Sequence, residues 1–223
     1  MSHPSLDHLR AHHGEFETFR DLMVATSAGR FGPVFWGVWQ QYVAPTLPAA
    51  PTLVDLGCGP GGLFQPLHER HPDASIVGVE VQPAMLVTAR ENARAVGGRI
   101  VEADLARTLP LADEIADAVV ASMVLHEMPW PMLLLREIHR CLRPGGAALI
   151  FDWVRQPLES YIGDAELTPD LLQHFREHCA FTPEDLAFLS QKAGLQVAEV
   201  IGRRGGQHVM LALLKPGSER ATA

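Results

Sequence analysis

The chain has 223 residues, of which 47% are hydrophobic and 20% charged, a composition typical of one globular α/β domain rather than of a disordered chain. A formal net charge of −8 gives no long-range attraction to nucleic acid, so we expect no nucleic-acid partner. No apolar run is long enough for a membrane span, residues 1–20 lack a secretory signal, and three dispersed cysteines form no CxxC pair. These features predict a soluble, cytoplasmic protein without a metal site.

The first 50 residues are predicted to be helical, with loops. Residues 16–24 follow an amphipathic pattern, residues 31–42 are unusually aromatic, and three prolines within residues 44–51 indicate a linker. We therefore divide the chain into an N-terminal helical cap at residues 1–50, a main domain at residues 51–216 and a flexible tail at residues 217–223.

From residue 52 onward, short apolar strands alternate with helices. The predicted strands are Thr52–Leu56, Ser75–Val81, Arg99–Glu102, Asp117–Met123 and Ala147–Trp153. The predicted helices are Leu63–Arg70, Pro83–Val96 and Pro131–Leu142. This alternation favours a parallel sheet with helices on both faces.

The end of the chain departs from that alternation. Thr182 is predicted to cap a helix that continues to about Ala193, where Gly194 ends it. Two further strands are predicted at Gln196–Ile201 and His208–Leu214. Because the glycine-containing link between them is short, they should form a hairpin, and the last strand should be antiparallel.

The strongest functional pattern is Asp55-Leu-Gly-Cys-Gly-Pro-Gly-Gly, at the end of the first strand. Glycines between a strand and a helix let a ligand approach the backbone closely, beside the free N–H groups of the helix N-terminus. Gly57, Gly59 and Gly62 satisfy GxGxxG, a fingerprint that several nucleotide-binding families share. The turn alone therefore indicates a nucleotide-like ligand without specifying which.

Three carboxylates narrow the choice of ligand. Asp55, just before the turn, would repel a pyrophosphate but suits a ligand that carries an ammonium and a sulfonium. Glu80 ends the second strand, where a carboxylate can accept hydrogen bonds from both hydroxyls of a ribose. Asp104 follows the third strand and is placed to accept from an adenine amino group. Each alone is more often a solvated side chain, but their agreement with the glycine turn favours a binding site.

These motifs resemble those of the class I S-adenosylmethionine-dependent methyltransferases over about residues 52–214. The segment from Asp55 is similar to their first motif, Glu80 to their ribose-binding acid and Ala103-Asp104-Leu105 to their adenine motif. Leu142-Arg-Pro-Gly-Gly-Ala-Ala-Leu-Ile is similar to the turn before their fifth strand. The resemblance implies a Rossmann-like three-layer α/β sandwich. Its seven-stranded, mostly parallel sheet would have the order 3-2-1-4-5-7-6, with an antiparallel last strand.

The resemblance also implies S-adenosylmethionine as cofactor and a small-molecule substrate. The predicted cofactor-binding residues are Asp55, Gly57, Cys58, Gly59, Gly61, Glu80, Val81, Gln82, Asp104, Leu105, Ser122 and Met123. The expected reaction moves the methyl group of the sulfonium to an O, N, S or C nucleophile. Because the sulfonium is already activated, the protein would mainly position the reactants and exclude water.

The substrate side is less closely specified. His126 follows the fourth strand, near the predicted switch in strand order where ligands of open α/β sheets bind, and is a candidate general base or substrate-orienting residue. In small-molecule members of the superfamily, N-terminal helices cover the active site, which makes aromatic residues of the cap candidates for the pocket. The predicted substrate-binding residues are Trp36, Trp39, Tyr42, His126 and Trp153. The long connection Arg155–Phe181 is a second candidate cover.

Two other classes of protein stay open on the sequence. A non-catalytic partner or regulatory module that binds S-adenosylmethionine would have the same glycine turn and carboxylates. An NAD(P)-dependent oxidoreductase is disfavoured by Asp55 and by the absence of a Tyr-x-x-x-Lys pair. His126-Glu127 begins like the zinc motif HExxH, but position 130 is Trp130. His174 and His178 are interpreted as a solvated helix face rather than as metal ligands. A homodimer is left open.

Overall fold

The computed structural model describes residues 16–128, 130–163, 166–178 and 180–217. Its N-terminal elements are α1 (Phe16–Arg30), α2 (Pro33–Val38), a π-helical turn (Trp39–Val43) and a 3-10 turn (Ala44–Thr46). The strands are β1 (Thr52–Leu56), β2 (Ser75–Glu80), β3 (Arg99–Glu102), β4 (Ala116–Ser122), β5 (Leu142–Trp153), β6 (Gln196–Arg203) and β7 (His208–Leu214). The remaining helices are α3 (Phe64–Arg70), α4 (Pro83–Ala95), α5 (Pro131–Cys141), α6 (Glu159–Ile162), α7 (Pro169–His178) and α8 (Pro183–Lys192). Residues 218–223 of the predicted tail and the side chains of His174 and His178 lie outside the described part of the chain.

The seven strands form one sheet in the order β3-β2-β1-β4-β5-β7-β6, which confirms the predicted topology. Strands β1 to β5 pair in parallel, whereas β7 is antiparallel to both β5 and β6. Leu56 lies beside Val79 of β2 and Ala121 of β4. The residues that follow these three positions therefore meet at one edge of the sheet, where the strand order switches and a crevice opens.

The turn before β5 differs from the prediction. The strand begins at Leu142 rather than Ala147, with an irregular register between Ala116 and Ala118 of β4. The carboxylate of Asp117 stabilises this irregularity, because it accepts two hydrogen bonds from one Arg143 nitrogen at 2.8 and 2.9 Å and one from the backbone N–H of Thr52 at 2.7 Å. These contacts tie together the first residues of three neighbouring strands.

Alternate residues of the central strands pack into cores on opposite faces of the sheet. Val54 belongs to a core that includes residues of α5 and α8, while Leu53 belongs to a second core that includes residues of α2, α3 and α4. The predicted start of α8 is confirmed: Thr182 Oγ1 accepts from the backbone N–H of Asp185 at 3.2 Å, and the Asp185 carboxylate accepts from that of Thr182 at 2.9 Å. Among the described residues, no helix combines the length and apolar character needed to cross a membrane.

Candidate active site

A cavity of about 670 Å³ opens beyond the carboxyl ends of β1, β2 and β4. Twelve predicted site residues line it, namely Asp55, Gly57, Cys58, Gly59, Glu80, Val81, Gln82, Leu105, Ser122, Met123, His126 and Trp153. Helix α1 supplies a further wall, whose residues were not predicted from the sequence: Thr18, Phe19, Leu22, Met23 and Arg30. The volume is within the range of small-molecule sites, roughly 300–1,000 Å³.

The glycine turn brings backbone against the cavity. Gly57 has φ of +71°, and a Cβ atom there would lie 2.4 Å from Cγ2 of Val124, so only glycine fits without displacement. Gly59 also has a positive φ, of +54°, but a Cβ atom there would meet nothing within 4 Å. The backbone N–H groups of Gly57 and Cys58 both donate to the carbonyl oxygen of Val79, at 2.9 and 3.0 Å, which fixes the turn on β2.

Glu80 is held by the backbone on both sides of the cavity floor. One carboxylate oxygen accepts from the N–H groups of Val81 and Gln82 at 2.8 Å each, and the other accepts from Gly59 N–H at 2.9 Å. Burial raises the pKa of Glu80, and these three N–H groups partly offset that rise by stabilising the charged form. A carboxylate fixed in this way is preorganised to accept hydroxyl donors from a ligand.

Asp55 is a buried carboxylate without a hydrogen bond from any residue in the described ranges, and it is 3% exposed. Burial, followed by the negative charge of Glu80, raises the pKa of Asp55 to about 7, while the positive charge of Arg30 opposes that rise. A ligand cation would remove this penalty, because a nearby positive charge favours the ionised carboxyl.

Two further polar atoms of the cavity wall are buried without a hydrogen-bond partner in the part of the chain described. They are Oε1 of Gln82 and Oγ of Ser122. A buried unpaired polar group costs about 1–3 kcal/mol, so a ligand that supplies partners would recover free energy at both positions. Together with Asp55 and Glu80, these atoms fit a polar, hydroxyl-bearing ligand with a cationic group.

Asp104 and Gly61 were predicted to bind the cofactor but are not in the cavity wall. Asp104 is buried, and one of its carboxylate oxygens accepts from the backbone N–H of Ala106 at 2.9 Å. The next residue, Leu105, does line the cavity. Gly61 has φ of +83° and packs against the ring of Phe64 instead. The binding of the cofactor by Asp104 and Gly61 stays a prediction.

The predicted aromatic pocket residues of the cap are placed elsewhere, so we correct their assignment. Trp39 is buried in the core and its Nε1–H donates to Nε2 of His71 at 3.0 Å. Trp36 stacks edge-on against Trp39 with the guanidinium of Arg70 over its ring, and Tyr42 donates to Glu199 on β6 at 2.9 Å. These side chains contact neighbouring elements instead of lining the cavity. A weak signal for the actual wall was the spacing of Phe19, Leu22 and Met23, which puts all three on one face of α1.

His126 lies in the 3-10 turn Leu125–Glu127, between two carboxylates. Its Nδ1 is 2.5 Å from Oδ1 of Asp152, and its Nε2 is 3.2 Å from Oε1 of Glu127. Burial would lower the pKa of His126, but Asp152 and Glu127 together outweigh it and raise the pKa to about 10. Both carboxylates therefore favour the imidazolium form of His126, in which each ring nitrogen carries a proton.

Comparison with known proteins agrees with this architecture. Residues 54–150 match the methyltransferase domain family. The arsenite methyltransferase of Halobacterium salinarum is 32% identical over 152 residues, which cover 67% of this chain and 38% of that protein. The ubiquinone biosynthesis O-methyltransferase of Pseudomonas paraeruginosa is 31% identical over 167 residues, which cover 69% of this chain and 68% of that protein. The chain thus spans less than half of the first relative and about two thirds of the second.

A solved structure has the same fold. It is the complex between the Haloferax volcanii methyltransferase activator Trm112 and a methyltransferase, with a TM-score of 0.72 at 18% identity, covering 91% of this chain and 98% of that chain. The sheet order and the crevice at its switch point define a Rossmann-like α/β protein. The chain belongs to the class I S-adenosylmethionine-dependent methyltransferases, and its cofactor is S-adenosylmethionine.

Proposed function

We propose that this protein transfers a methyl group from S-adenosylmethionine to a nucleophilic atom of a small molecule. The observation that carries the proposal is the pair of buried carboxylates, Asp55 and Glu80, at the ends of neighbouring strands and facing one cavity. The cofactor supplies an electrophilic methyl group on a sulfonium. The protein's own residues then have to bind, orient and shield the reactants.

In this proposal, each polar residue binds a different part of the cofactor. Glu80, held by three backbone N–H groups, accepts from the ribose hydroxyls, and Asp55 pairs with the ammonium group. Arg30 lines the same cavity and its charge acts on Asp55, so we assign it to the carboxylate of the amino-acid portion. Asp55 and Arg30 would thus hold the two ends of a zwitterion.

The substrate is proposed to bind between α1 and the turn that holds His126. Phe19, Met23, Met128 and Trp153 give this end of the cavity a largely apolar wall, which suits an acceptor with an apolar body. Helix α1 would exclude water from it, in keeping with the proposed cap function of residues 1–50. Arsenite and trans-aconitate, the acceptors named for relatives, are candidates to be tested rather than assignments.

The proposal also includes the cellular compartment and the oligomeric state. Cys58 and Cys141 are free, buried thiols, which suits a protein that works in a reducing cytoplasm. A homodimer stays a prediction. A non-catalytic binding module is the alternative, since cofactor binding alone does not establish turnover.

Calorimetric titration with S-adenosylhomocysteine and with NAD tests the proposal. We expect binding of the first only, weakened at least about tenfold by Glu80→Gln because a charge-assisted hydrogen-bond pair is lost. The matched control is Glu102→Gln, whose carboxylate on β3 is 53% exposed and pairs with Arg90. NAD binding without S-adenosylhomocysteine binding would refute the cofactor assignment. A screen of small phenols, amines, thiols and carboxylates for S-adenosylhomocysteine release then separates the enzyme from the non-catalytic module.

A further inference from the structure

The substrate end of the cavity is organised around one anchored carboxylate. Asp152, at the end of β5, is fully buried, and one of its oxygens accepts from the backbone N–H groups of Val124 and Leu125 at 3.0 and 2.6 Å. Its other oxygen accepts from the N–H of Trp153 at 2.8 Å and faces the His126 ring. Asp152 thereby fixes the loop after β4 to the end of β5, and it cannot swing toward a substrate.

His126 connects this anchor to the cavity. One ring nitrogen contacts Asp152 and the other contacts Glu127, and the His126 side chain is only 8% exposed. Since both nitrogens face carboxylates, each donates its proton to one of them. A histidine in that position holds the neighbouring carboxylate in place and has no nitrogen left to act as a proton acceptor.

Glu127 is the member of this group that is suited to meet a substrate. It lines the cavity next to Met128, and its side chain is 12% exposed, against 0% for Asp152. An ionised carboxylate only accepts hydrogen bonds, so a partner must bring a proton with it. An anionic group placed here would instead be repelled.

We propose that Glu127 is the proton acceptor for the methyl-accepting substrate and that this substrate reacts at a group which still carries its proton, an amine or a hydroxyl, and not at a carboxylate. The inference rests on the proposed function. The N–H or O–H bond of the substrate would break, its proton would join the Glu127 carboxylate, and its electron pair would form the new bond to the methyl carbon. The bond between that carbon and the sulfonium sulfur would break, with its electron pair remaining on sulfur, so that S-adenosylhomocysteine leaves. His126 is a positioning residue that holds the Glu127 carboxylate in place through its Nε2 contact.

Histidine NMR on the full chain tests the roles of the two residues without turnover. With ring-labelled histidine, assigned through His126→Gln, we expect His126 to be doubly protonated at pH 7.5. Its pKa should fall in Glu127→Gln, since one of the two carboxylates that stabilise the imidazolium is then lost. The control Glu102→Gln should leave the His126 signal unchanged. A neutral His126 in the parent protein would overturn the proposal, because the ring would then be available as the base.

Binding of simple probes tests the substrate class. In the presence of saturating S-adenosylhomocysteine, benzylamine and benzyl alcohol should bind more tightly than benzoate, and Glu127→Gln should weaken benzylamine about tenfold or more, as expected for a charge-assisted contact. S-adenosylhomocysteine affinity should stay within about twofold, which distinguishes a failure of this inference from a failure of the cofactor assignment. Benzoate binding as tightly as benzylamine would contradict it.

Discussion

The two ends of the cavity are built in different ways. The cofactor end comes from one stretch of chain, residues 55–82, which contains the ends of the adjacent strands β1 and β2 and the turns that follow them. Backbone N–H groups of these turns hold the Glu80 carboxylate. The substrate end is assembled from α1, the turn after β4 and the end of β5, which are far apart in sequence and are joined by side chains. A local strand–turn–helix unit therefore fixes the cofactor end, whereas tertiary packing decides what the substrate meets.

The largest effect should come from Gly57, which touches both ends because it packs on Val124. Gly57→Ala should destabilise the fold by about 3 kcal/mol, through a strained positive φ and overpacking. Gly59→Ala has the same kind of backbone strain but meets nothing within 4 Å, so about 1 kcal/mol is expected. Urea unfolding measures both. If both variants lose the same free energy of unfolding, overpacking against Val124 does not contribute to the effect at Gly57.

The next effect concerns Arg30, which lies on α1 but is assigned to the cofactor. Arg30→Gln should weaken S-adenosylhomocysteine about tenfold, the scale of a lost charge-assisted contact, and leave 5′-methylthioadenosine unchanged, since that nucleoside lacks the amino-acid portion. Arg20→Gln is the control on the same helix, where the arginine pairs with Asp21 instead. If calorimetry shows that Arg30→Gln lowers the affinity for both ligands equally, Arg30 stabilises the site and does not bind the amino-acid portion.

The smallest effect is the release of a fraction of a proton from Asp55 when S-adenosylhomocysteine binds. With its pKa raised to about 7, Asp55 holds about half a proton at pH 7 in the free protein, and a ligand ammonium should expel it. Titration of S-adenosylhomocysteine in buffers of different ionisation enthalpy should therefore show proton release near pH 7, and Asp55→Asn should remove it. The raised pKa also means that folding stability declines as the pH rises from about 4 to about 7, because the folded state binds the extra proton.

The titration of 5′-methylthioadenosine is the matched control for that measurement. It keeps the ribose that faces Glu80 but has no ammonium, so it should release fewer protons than S-adenosylhomocysteine. Proton uptake on binding of S-adenosylhomocysteine would contradict the pairing of its ammonium with Asp55.

The cofactor end could be predicted from the sequence better than the substrate end, because it depends on local signals. The strand order, β1, β3 and β7 to the residue, and the caps around Thr182 were predicted, because periodicity and turn residues are local signals. Asp55, Gly57, Cys58 and Gly59 were predicted at the site for the same reason and line the cavity, whereas Gly61 does not. Trp36, Trp39 and Tyr42 were misplaced, since aromatic composition does not say which face of the sheet a segment will cover. The Asp152 anchor of His126 joins residues 26 apart and had no signal in the sequence.

Helix α1 couples the binding of the cofactor to the binding of the substrate. It carries Arg30 at the cofactor end and Phe19 at the substrate end, while Leu22 remains 53% exposed, so only part of its apolar surface is satisfied in the free protein. A cofactor that engages Arg30 would fix the same helix that forms the substrate wall. The two ligands should then raise each other's affinity by the same factor, as thermodynamic linkage requires.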